Sequence, residues 1–136
     1  MYVYTLIDLF SRWAYAEASA RISAKTSAAF IARAMQQAPF RFAMIQTDHG
    51  SEFSIGFTHT LWRFGFQHRH TRVRQKDDNA HIERFNRTLQ EECLDRVQTT
   101  MSAFRAALRT YLPYYNTERL HMGINFKTPT EMFPRS

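Results

Sequence analysis

The hydrophobic and polar positions along the chain predict short strands that alternate with helices. Residues 2–7 are nearly continuous in apolar and β-branched side chains, as in a strand that is buried on both faces. Residues 13–18 fit a second, antiparallel strand, so the two predict an N-terminal hairpin that turns near residues 10–12. Two more short strands are predicted at residues 42–47 and 66–71.

Apolar residues that recur every three or four positions predict four helices. They cover residues 26–37, with Ser23 or Thr26 as N-cap; 54–64; 80–97, with Asn79 as N-cap; and a last helix that follows Thr100 or Ser102. Residues 72–78 lack apolar periodicity and predict an exposed, mobile loop, and a packed tail follows Asn116. The order β-β-α-β-α-β-α-α predicts one α/β domain over residues 1–136, with a mixed sheet covered by helices.

Composition narrows the choice of partners. The 136 residues carry 18 Lys and Arg against 12 Asp and Glu, a net charge of +6 that suits a polyanion but also a merely solubilising surface. Cys93 is the only cysteine, so no intrachain disulfide forms and a reducing compartment is expected. The sequence has no eighteen-residue apolar run and no signal-peptide pattern, so we expect a soluble protein of the cytoplasm or nucleoid, with no membrane partner.

Two acids occupy positions where reactive groups gather in α/β sheets, at a strand end and a helix start. Asp48 follows a predicted strand within TDHGSEF, and Glu83 lies in the first turn of a predicted helix. Each also has an ordinary structural interpretation. Asp-His-Gly is good turn chemistry, and the helix dipole favours an acid in a first turn.

Three stretches together resemble a known family. QTDHGSEF, then DDNAHIERFNRTLQEECL, then YYNTERLHMGINFKTPTEMF, are similar in order and spacing to the catalytic core of retroviral-type integrases and insertion-sequence transposases, the DDE or rve superfamily. The resemblance covers nearly the whole chain. It implies a ribonuclease H-like fold, a mixed sheet flanked by helices, and DNA as the substrate.

The resemblance also implies chemistry for the two acids. In that family three carboxylates hold two divalent cations, and oxygen ligands of this kind suit Mg²⁺ or Mn²⁺. Asp48 would be the second acid and Glu83 the third, as catalytic residues and metal ligands in strand cleavage and joining on DNA.

The first acid of the triad has no clear counterpart. Asp8, in LIDLFSRWAYA, matches a family position on the turn side of the second and third strands, which is not a metal ligand. We therefore expect the family's first strand to be missing from this chain, which would look truncated at its N-terminus. Asp8 would replace the missing ligand only if the strand shifts. The expectation is low activity in isolation and either a hairpin that pairs with strand 42–47 or a homo-oligomer formed by strand exchange.

Basic side chains surround the two acids in sequence. The residues predicted to contact DNA phosphates are Arg72, Arg74, Lys76, Arg84 and Arg87. An alternative for one of them is a simple exposed ion pair between Glu83 and Arg87, which are four residues apart on a helix.

Polar neighbours complete the candidate site. Glu52, His49 and Asn79 are expected beside the metal ligands rather than among them, and His81 lies close in sequence. His68 and His70 alternate on one strand and would face the same side, which permits zinc, but no cysteine pair or third ligand stands nearby. Asn116, Arg119 and His121 look like a family packing signature that fixes the last helix.

Two alternatives to a catalytic core stay open. One is a non-catalytic remnant that binds DNA or self-associates, and the other is a ribonuclease H-like nuclease.

Overall fold

The computed structural model describes residues 1–8, 10–21, 23–40, 44–47, 67–70 and 76–133. For 44–47, 67–70 and 76–79 it describes the backbone alone. The predicted helix at residues 54–64 lies outside the described residues and stays a prediction.

The predicted N-terminal hairpin is present. Strand β1 (Tyr2–Ile7) pairs antiparallel with β2 (Ala14–Ser19), with Tyr2 opposite Ser19 and Ile7 opposite Ala14. Asp8 lies in the turn, where its Oδ2 accepts hydrogen bonds from the Ser11 backbone N–H at 2.9 Å and the Ser11 hydroxyl at 2.6 Å. The placement of Asp8 on the turn side is thereby confirmed.

Two other strands form a separate parallel pair. β3 (Met44–Thr47) runs beside β4 (Gln67–His70), with Thr47 opposite His70. The described strands thus form two two-stranded sheets, β1-β2 and β3-β4. The expectation that the hairpin shifts to pair with strand 42–47 is therefore wrong.

Three helices lie on the two faces of the hairpin. α1 (Ala24–Gln37) covers one face, and its N-cap is Ser23, whose side chain accepts from the Thr26 N–H in a capping box. α2 (Lys76–Glu92) and α3 (Met101–Thr117) cover the other face, and Thr100 is the N-cap of α3. Three short 3₁₀ turns follow α2 and α3, at Leu94–Arg96, Met122–Ile124 and Pro129–Met132.

The bounds of α2 correct the sequence prediction. The helix begins at Lys76, so Asn79 lies inside it and is not its N-cap, and residues 76–78 are helical rather than part of a mobile loop. This start places Asp77 and Asp78 in the first turn, where the helix dipole favours acidic residues. The helix ends at Glu92 rather than at 97, because the backbone tightens into the 3₁₀ turn after Cys93.

The main core lies between β2 and the helices α2 and α3. Ala14, Ala16 and Ala18 alternate onto one face of β2 and are all buried, and their small side chains let the helices approach closely. α2 contributes Phe85 and Leu89 to the same core. No helix in the described ranges is long and apolar enough to cross a membrane.

Candidate functional site

Helix α2 separates its apolar and charged residues onto different faces. Phe85 and Leu89 are each 1% exposed and anchor the helix to the core. Glu83, Arg84 and Arg87 are exposed. Because residues i, i+1 and i+4 lie on adjoining parts of a helix surface, three of the predicted site residues share the solvent side of α2.

These three charges are unpaired within the part of the chain that the structure describes. The ion pairs found there join Glu17 to Arg33 and Glu92 to Arg119. No pair joins Glu83 to Arg87, so the alternative in which Glu83 serves a simple surface ion pair does not hold. The Glu83 carboxylate is left open to a ligand from solvent.

The strand end that precedes Asp48 also has a defined neighbour. Since β3 and β4 are parallel and Thr47 lies opposite His70, their carboxyl ends reach the same edge of that sheet. Asp48 follows β3 in the sequence, and α2 begins six positions after His70.

Several predicted site residues lie outside the described residues, and their roles stay predictions. They are Asp48, His49, Glu52, Arg72 and Arg74. Lys76 and Asn79 lie in the first turn of α2, and His68 and His70 lie two apart in β4; only the backbone of these four is described. His81 is half-buried in α2.

The donor chemistry at α2 fits a hard divalent cation. Glu83 offers exposed carboxylate oxygens, which are the ligands that Mg²⁺ and Mn²⁺ prefer. Within the ranges given above, no three His, Cys, Asp or Glu side chains converge as a metal cluster. A site that includes Glu83 therefore needs ligands from residues beyond those ranges, as the prediction for Asp48 requires.

A second cluster, which sequence reasoning missed in part, locks α2 to the chain that follows α3. Glu92, in the last turn of α2, accepts from Arg119 through both oxygens, with Nε at 3.0 Å and Nη2 at 2.7 Å. The Tyr111 hydroxyl donates to the same carboxylate at 2.5 Å. Glu92 borders the apolar stripe of α2, three residues after Leu89, and that position was the available signal.

Electrostatics within this cluster follow from its hydrogen bonds and burial. The hydrogen bond from Arg119 lowers the pKa of Glu92, against an opposing effect of burial, and the bond from Tyr111 adds to it. Burial, followed by the bond to Glu92, raises the pKa of Tyr111. The Arg119 guanidinium also lies 5.7 Å from the centre of the Tyr115 ring. Burial raises the pKa of Tyr115 to about 12.

His121 belongs to the same cluster. Its ring stacks edge-on against Tyr115 with centroids 4.5 Å apart, and its Nε2 lies 3.3 Å from the Tyr115 carbonyl. Burial lowers the pKa of His121.

Asn116 ties α3 to the edge of the hairpin. Its Oδ1 accepts from the Ala14 N–H at 2.9 Å, and its Nδ2 donates to the Ala14 carbonyl at 2.8 Å. The side-chain amide thus replaces a neighbouring strand. Together with the Arg119 and His121 contacts, it confirms that this signature fixes the last helix.

Comparison with known proteins identifies the family of this chain. Two family profiles, each described as an integrase core domain, match residues 1–76 and 64–129. The chain belongs to the integrase core domain family.

Two curated relatives span most of this chain. The transposase for insertion sequence element IS904 of Lactococcus lactis subsp. lactis (strain IL1403) is 30% identical over 96% of this chain. A putative integrase, ORF3, of Spiroplasma virus SpV1-C74 is 28% identical over 94% of it. The chain spans only 54% and 40% of these relatives' own lengths.

Solved structures share the fold at low sequence identity. The chain matches a simian T-cell lymphotropic virus intasome structure, determined in complex with PP2A regulatory subunit B56 gamma, with a TM-score of 0.81 and 21% identity, covering 98% of this chain and 49% of that one. It matches the catalytic core domain of BIV integrase with a TM-score of 0.73 and 19% identity, covering 96% and 84%. The fold is therefore that of an integrase catalytic core, which is ribonuclease H-like, and the predicted fold class is confirmed.

Proposed function

We propose that this chain is the catalytic core of a DDE-type transposase or integrase that cleaves and joins DNA strands. The observation that carries the proposal is the exposed, unpaired Glu83 on a helix whose opposite face is fixed in the core, in a chain of the integrase core family. In an exposed helix, a carboxylate with basic neighbours four residues away would ordinarily pair with them. Glu83 and Arg87 do not pair, and this leaves the acid for a metal and the base for phosphate.

Asp48 and Glu83 would hold Mg²⁺ or Mn²⁺. A cation bound there would lower the pKa of the attacking water or 3′-hydroxyl and stabilise the leaving 3′ oxygen. The contribution of this chain is to present Glu83 from a rigid helix, since Phe85 and Leu89 fix the rotation of α2. Asp8 is an unsuitable further ligand, because its Oδ2 already accepts two hydrogen bonds from Ser11 in the hairpin turn.

Cation binding is the sharpest test of the two acids. Titration with Mn²⁺, followed by electron paramagnetic resonance of the free ion, is expected to show binding that weakens at least tenfold in both Asp48→Asn and Glu83→Gln. Glu91→Gln is the matched control, since Glu91 is an exposed acid on the same helix. Unchanged Mn²⁺ binding in Glu83→Gln would refute the assignment.

DNA nicking and strand joining should depend on the same two acids, Asp48 and Glu83. A supercoiled plasmid with Mn²⁺ reports nicking, and a labelled duplex reports strand joining. With two carboxylates assigned, we expect low activity from the isolated chain, and any activity should vanish in Glu83→Gln. Nicking that is lost in Asp8→Asn but kept in Glu83→Gln would overturn this assignment.

The basic residues are proposed to neutralise DNA phosphates around the metal. Arg84 and Arg87 have no acidic partner in the described part of the molecule, so replacing either should reduce the salt dependence of duplex binding by about one unit of log K against log salt. Arg96→Ala is the control, because Arg96 is exposed in the turn after α2. Equal slopes for all three variants would contradict the proposal. Arg72, Arg74 and Lys76 are proposed to act in the same way.

A second candidate, self-association, has its own observation. Ala14 directs its N–H and C=O toward Asn116 and away from β1. Ile7 lies opposite Ala14 and therefore directs its own N–H and C=O toward the other edge of β1. Thr5 and Val3, at every second position of the strand, do the same. That edge has no partner among the described strands. An apolar edge strand of this kind favours pairing with another segment, and a strand-exchanged homo-oligomer is proposed. Light scattering that shows only monomer at high micromolar concentration would exclude it.

A further inference from the structure

Two residues on one side of α2 are held by the end of α3 and the segment that follows it. In the middle of α2, Phe85 packs edge-on against the Tyr115 ring, with centroids 5.1 Å apart and ring planes at 65°. In the last turn, Glu92 accepts from Arg119 through both carboxylate oxygens. Phe85 and Glu92 are seven residues apart, so they lie two turns apart and only about 20° apart around the helix axis. The same side of α2 is therefore held at two heights.

The two points of attachment belong to one packed unit. The Arg119 guanidinium, which binds Glu92, also lies 5.7 Å from the centre of the Tyr115 ring. That ring supports Phe85, and the two aromatic residues are 3% and 1% exposed. Close packing of this kind leaves little room for either ring to move. Arg119 is thus the residue of the unit that reaches both points.

Glu83 lies on the opposite side of the helix. At about 100° per residue, it is about 200° from Phe85 and about 180° from Glu92 around the axis. A carboxylate about 6 Å from the axis moves by about 1 Å when the helix rotates by about 10°. Mg²⁺ demands a near-octahedral arrangement of its ligands, and functional groups need to be held within about 0.5 Å of their working positions. A small rotation of α2 is therefore enough to spoil a metal contact at Glu83.

The contacts on the held side differ in how well they prevent such a rotation. Packing of Phe85 and Leu89 fixes which face of α2 points inward, but apolar contact is not directional and leaves small rotations open. The Arg119 fork is planar and bonds both oxygens of Glu92, at 3.0 Å from Nε and 2.7 Å from Nη2. Bidentate pairing of this kind fixes direction as well as distance. The Tyr111 hydroxyl adds a third hydrogen bond to the same carboxylate.

We propose that Arg119 is a positioning residue for Glu83. Its fork on Glu92 sets the rotation of α2 and so places the Glu83 carboxylate for the divalent cation. This inference rests on the proposed role of Glu83 as a metal ligand. In this role Arg119 acts through Glu92 and makes no contact with the metal, and its function goes beyond fixing the last helix.

Arg119→Lys separates orientation from charge. Lysine keeps a positive charge beside Glu92 but bonds as a flexible point charge without a fixed direction. We expect Mn²⁺ affinity, measured by electron paramagnetic resonance, to fall by about three- to tenfold, less than the roughly 10- to 100-fold typical of a direct partner of a metal ligand. Glu92→Gln should weaken Mn²⁺ binding to the same extent. The double variant should bind no more weakly than either single variant, because both changes break the same contact.

Two further variants control for the chemistry of the change and for stability. Arg33→Lys makes the same substitution in another bidentate pair, between Arg33 of α1 and Glu17 of β2. Ser23→Ala lowers stability through the N-cap of α1. Both variants should bind Mn²⁺ as the wild type does. Without metal, residual dipolar couplings of the α2 amides, compared with those of the hairpin, should change in Arg119→Lys and not in Arg33→Lys.

The outcomes distinguish this role from the proposed function. Wild-type Mn²⁺ affinity in Arg119→Lys, beside a loss in Glu83→Gln, would overturn the role of Arg119 and leave Glu83 as a ligand. Equal weakening in Ser23→Ala, or unchanged couplings in Arg119→Lys, would also overturn it. Unchanged binding in Glu83→Gln would remove the proposed metal ligand and the positioning role together.

Discussion

Replacing Asn116 tests whether one side-chain amide holds α3 to the hairpin. Its two hydrogen bonds to Ala14, at 2.9 and 2.8 Å, are each close to ideal length. Ala14 is fully buried and Asn116 is 7% exposed. In Asn116→Ala, both backbone groups of Ala14 lose their partner at once.

The cost follows from desolvation rather than from the lost bonds alone. A buried donor or acceptor left unsatisfied costs roughly 1 to 3 kcal/mol, so two give about 2 to 6 kcal/mol. Asn116 also lines an open groove between β2, α1 and α3, and water that enters through this groove will satisfy part of the deficit. We therefore expect Asn116→Ala to lower the free energy of unfolding by about 2 to 3 kcal/mol. For a domain of this size that corresponds to roughly 6 to 15 °C in Tm.

Urea unfolding followed by tryptophan fluorescence measures this free energy directly. Thr117→Ala is the matched control. Thr117 is the next residue and is exposed, and its hydroxyl donates only to the Pro113 carbonyl four residues earlier in the same helix, at 2.6 Å. Such a contact does not stabilise a helix, so its loss should cost under about 0.5 kcal/mol. The Asn116→Asp variant adds a diagnostic. Its carboxylate still accepts from the Ala14 N–H but repels the Ala14 carbonyl, so its deficit relative to wild type should shrink as pH falls and the new carboxyl protonates.

Three outcomes would refute this account of Asn116. One is a loss below about 0.5 kcal/mol in Asn116→Ala. Another is a deficit in Asn116→Asp that does not change with pH. The third is an equal loss in Thr117→Ala, which would show that the last turn of α3 is sensitive for another reason.

Other residues give shorter tests. Folding lowers the pKa of Glu92, so the stability that Glu92 contributes is complete above its ordinary pKa near 4.5 and is lost as pH falls through its lower pKa in the folded protein. Glu92→Gln should cost about 1 kcal/mol at pH 7 and should remove this acid-side loss of stability from urea melts measured against pH. His121, whose pKa burial also lowers, should add a loss of stability that begins as pH falls below 6.5, and a profile unchanged by His121→Asn would contradict this. Burial raises the pKa of Cys93, so a thiol reagent should label it only as the chain unfolds, and immediate labelling of native protein would show the packing to be wrong. Ser23→Ala should cost about 1 kcal/mol by removing the α1 N-cap, with no change expected in Lys25→Ala.

The spacing of apolar residues predicted those strands and helices whose apolar face is set by their own sequence. The hairpin, α1 and α3 were found within a few residues of their predicted bounds, because their apolar faces and caps are encoded in adjacent residues. The start of α2 was misplaced because Asn79 is a good cap by itself. The acids in its first turn, Asp77 and Asp78, lie in a stretch without apolar periodicity, and such a stretch predicts a loop.

Contacts between distant residues were harder to predict. The sequence motif marked Asn116 and Arg119 as residues that fix the last helix, but nothing in it indicated that their partners would be Ala14 and Glu92. Those partners are set by how α2 and α3 pack on the hairpin, and an alanine in particular offers no side-chain signal.

The two ends of α2 explain how a surface acid can stay available for chemistry. At its C-terminal end, Glu92 is bound to Arg119 and Tyr111, which joins the helix to the segment after α3. Nine residues earlier, Glu83 has basic neighbours in sequence and yet pairs with none of them in the described structure. An acid whose only task was to stabilise α2 would gain from such a pair, as Glu92 does. The rigid attachment at one end thus fixes the position of an exposed carboxylate without an ion-pair partner at the other, as the proposed binding of a divalent cation by Glu83 would require.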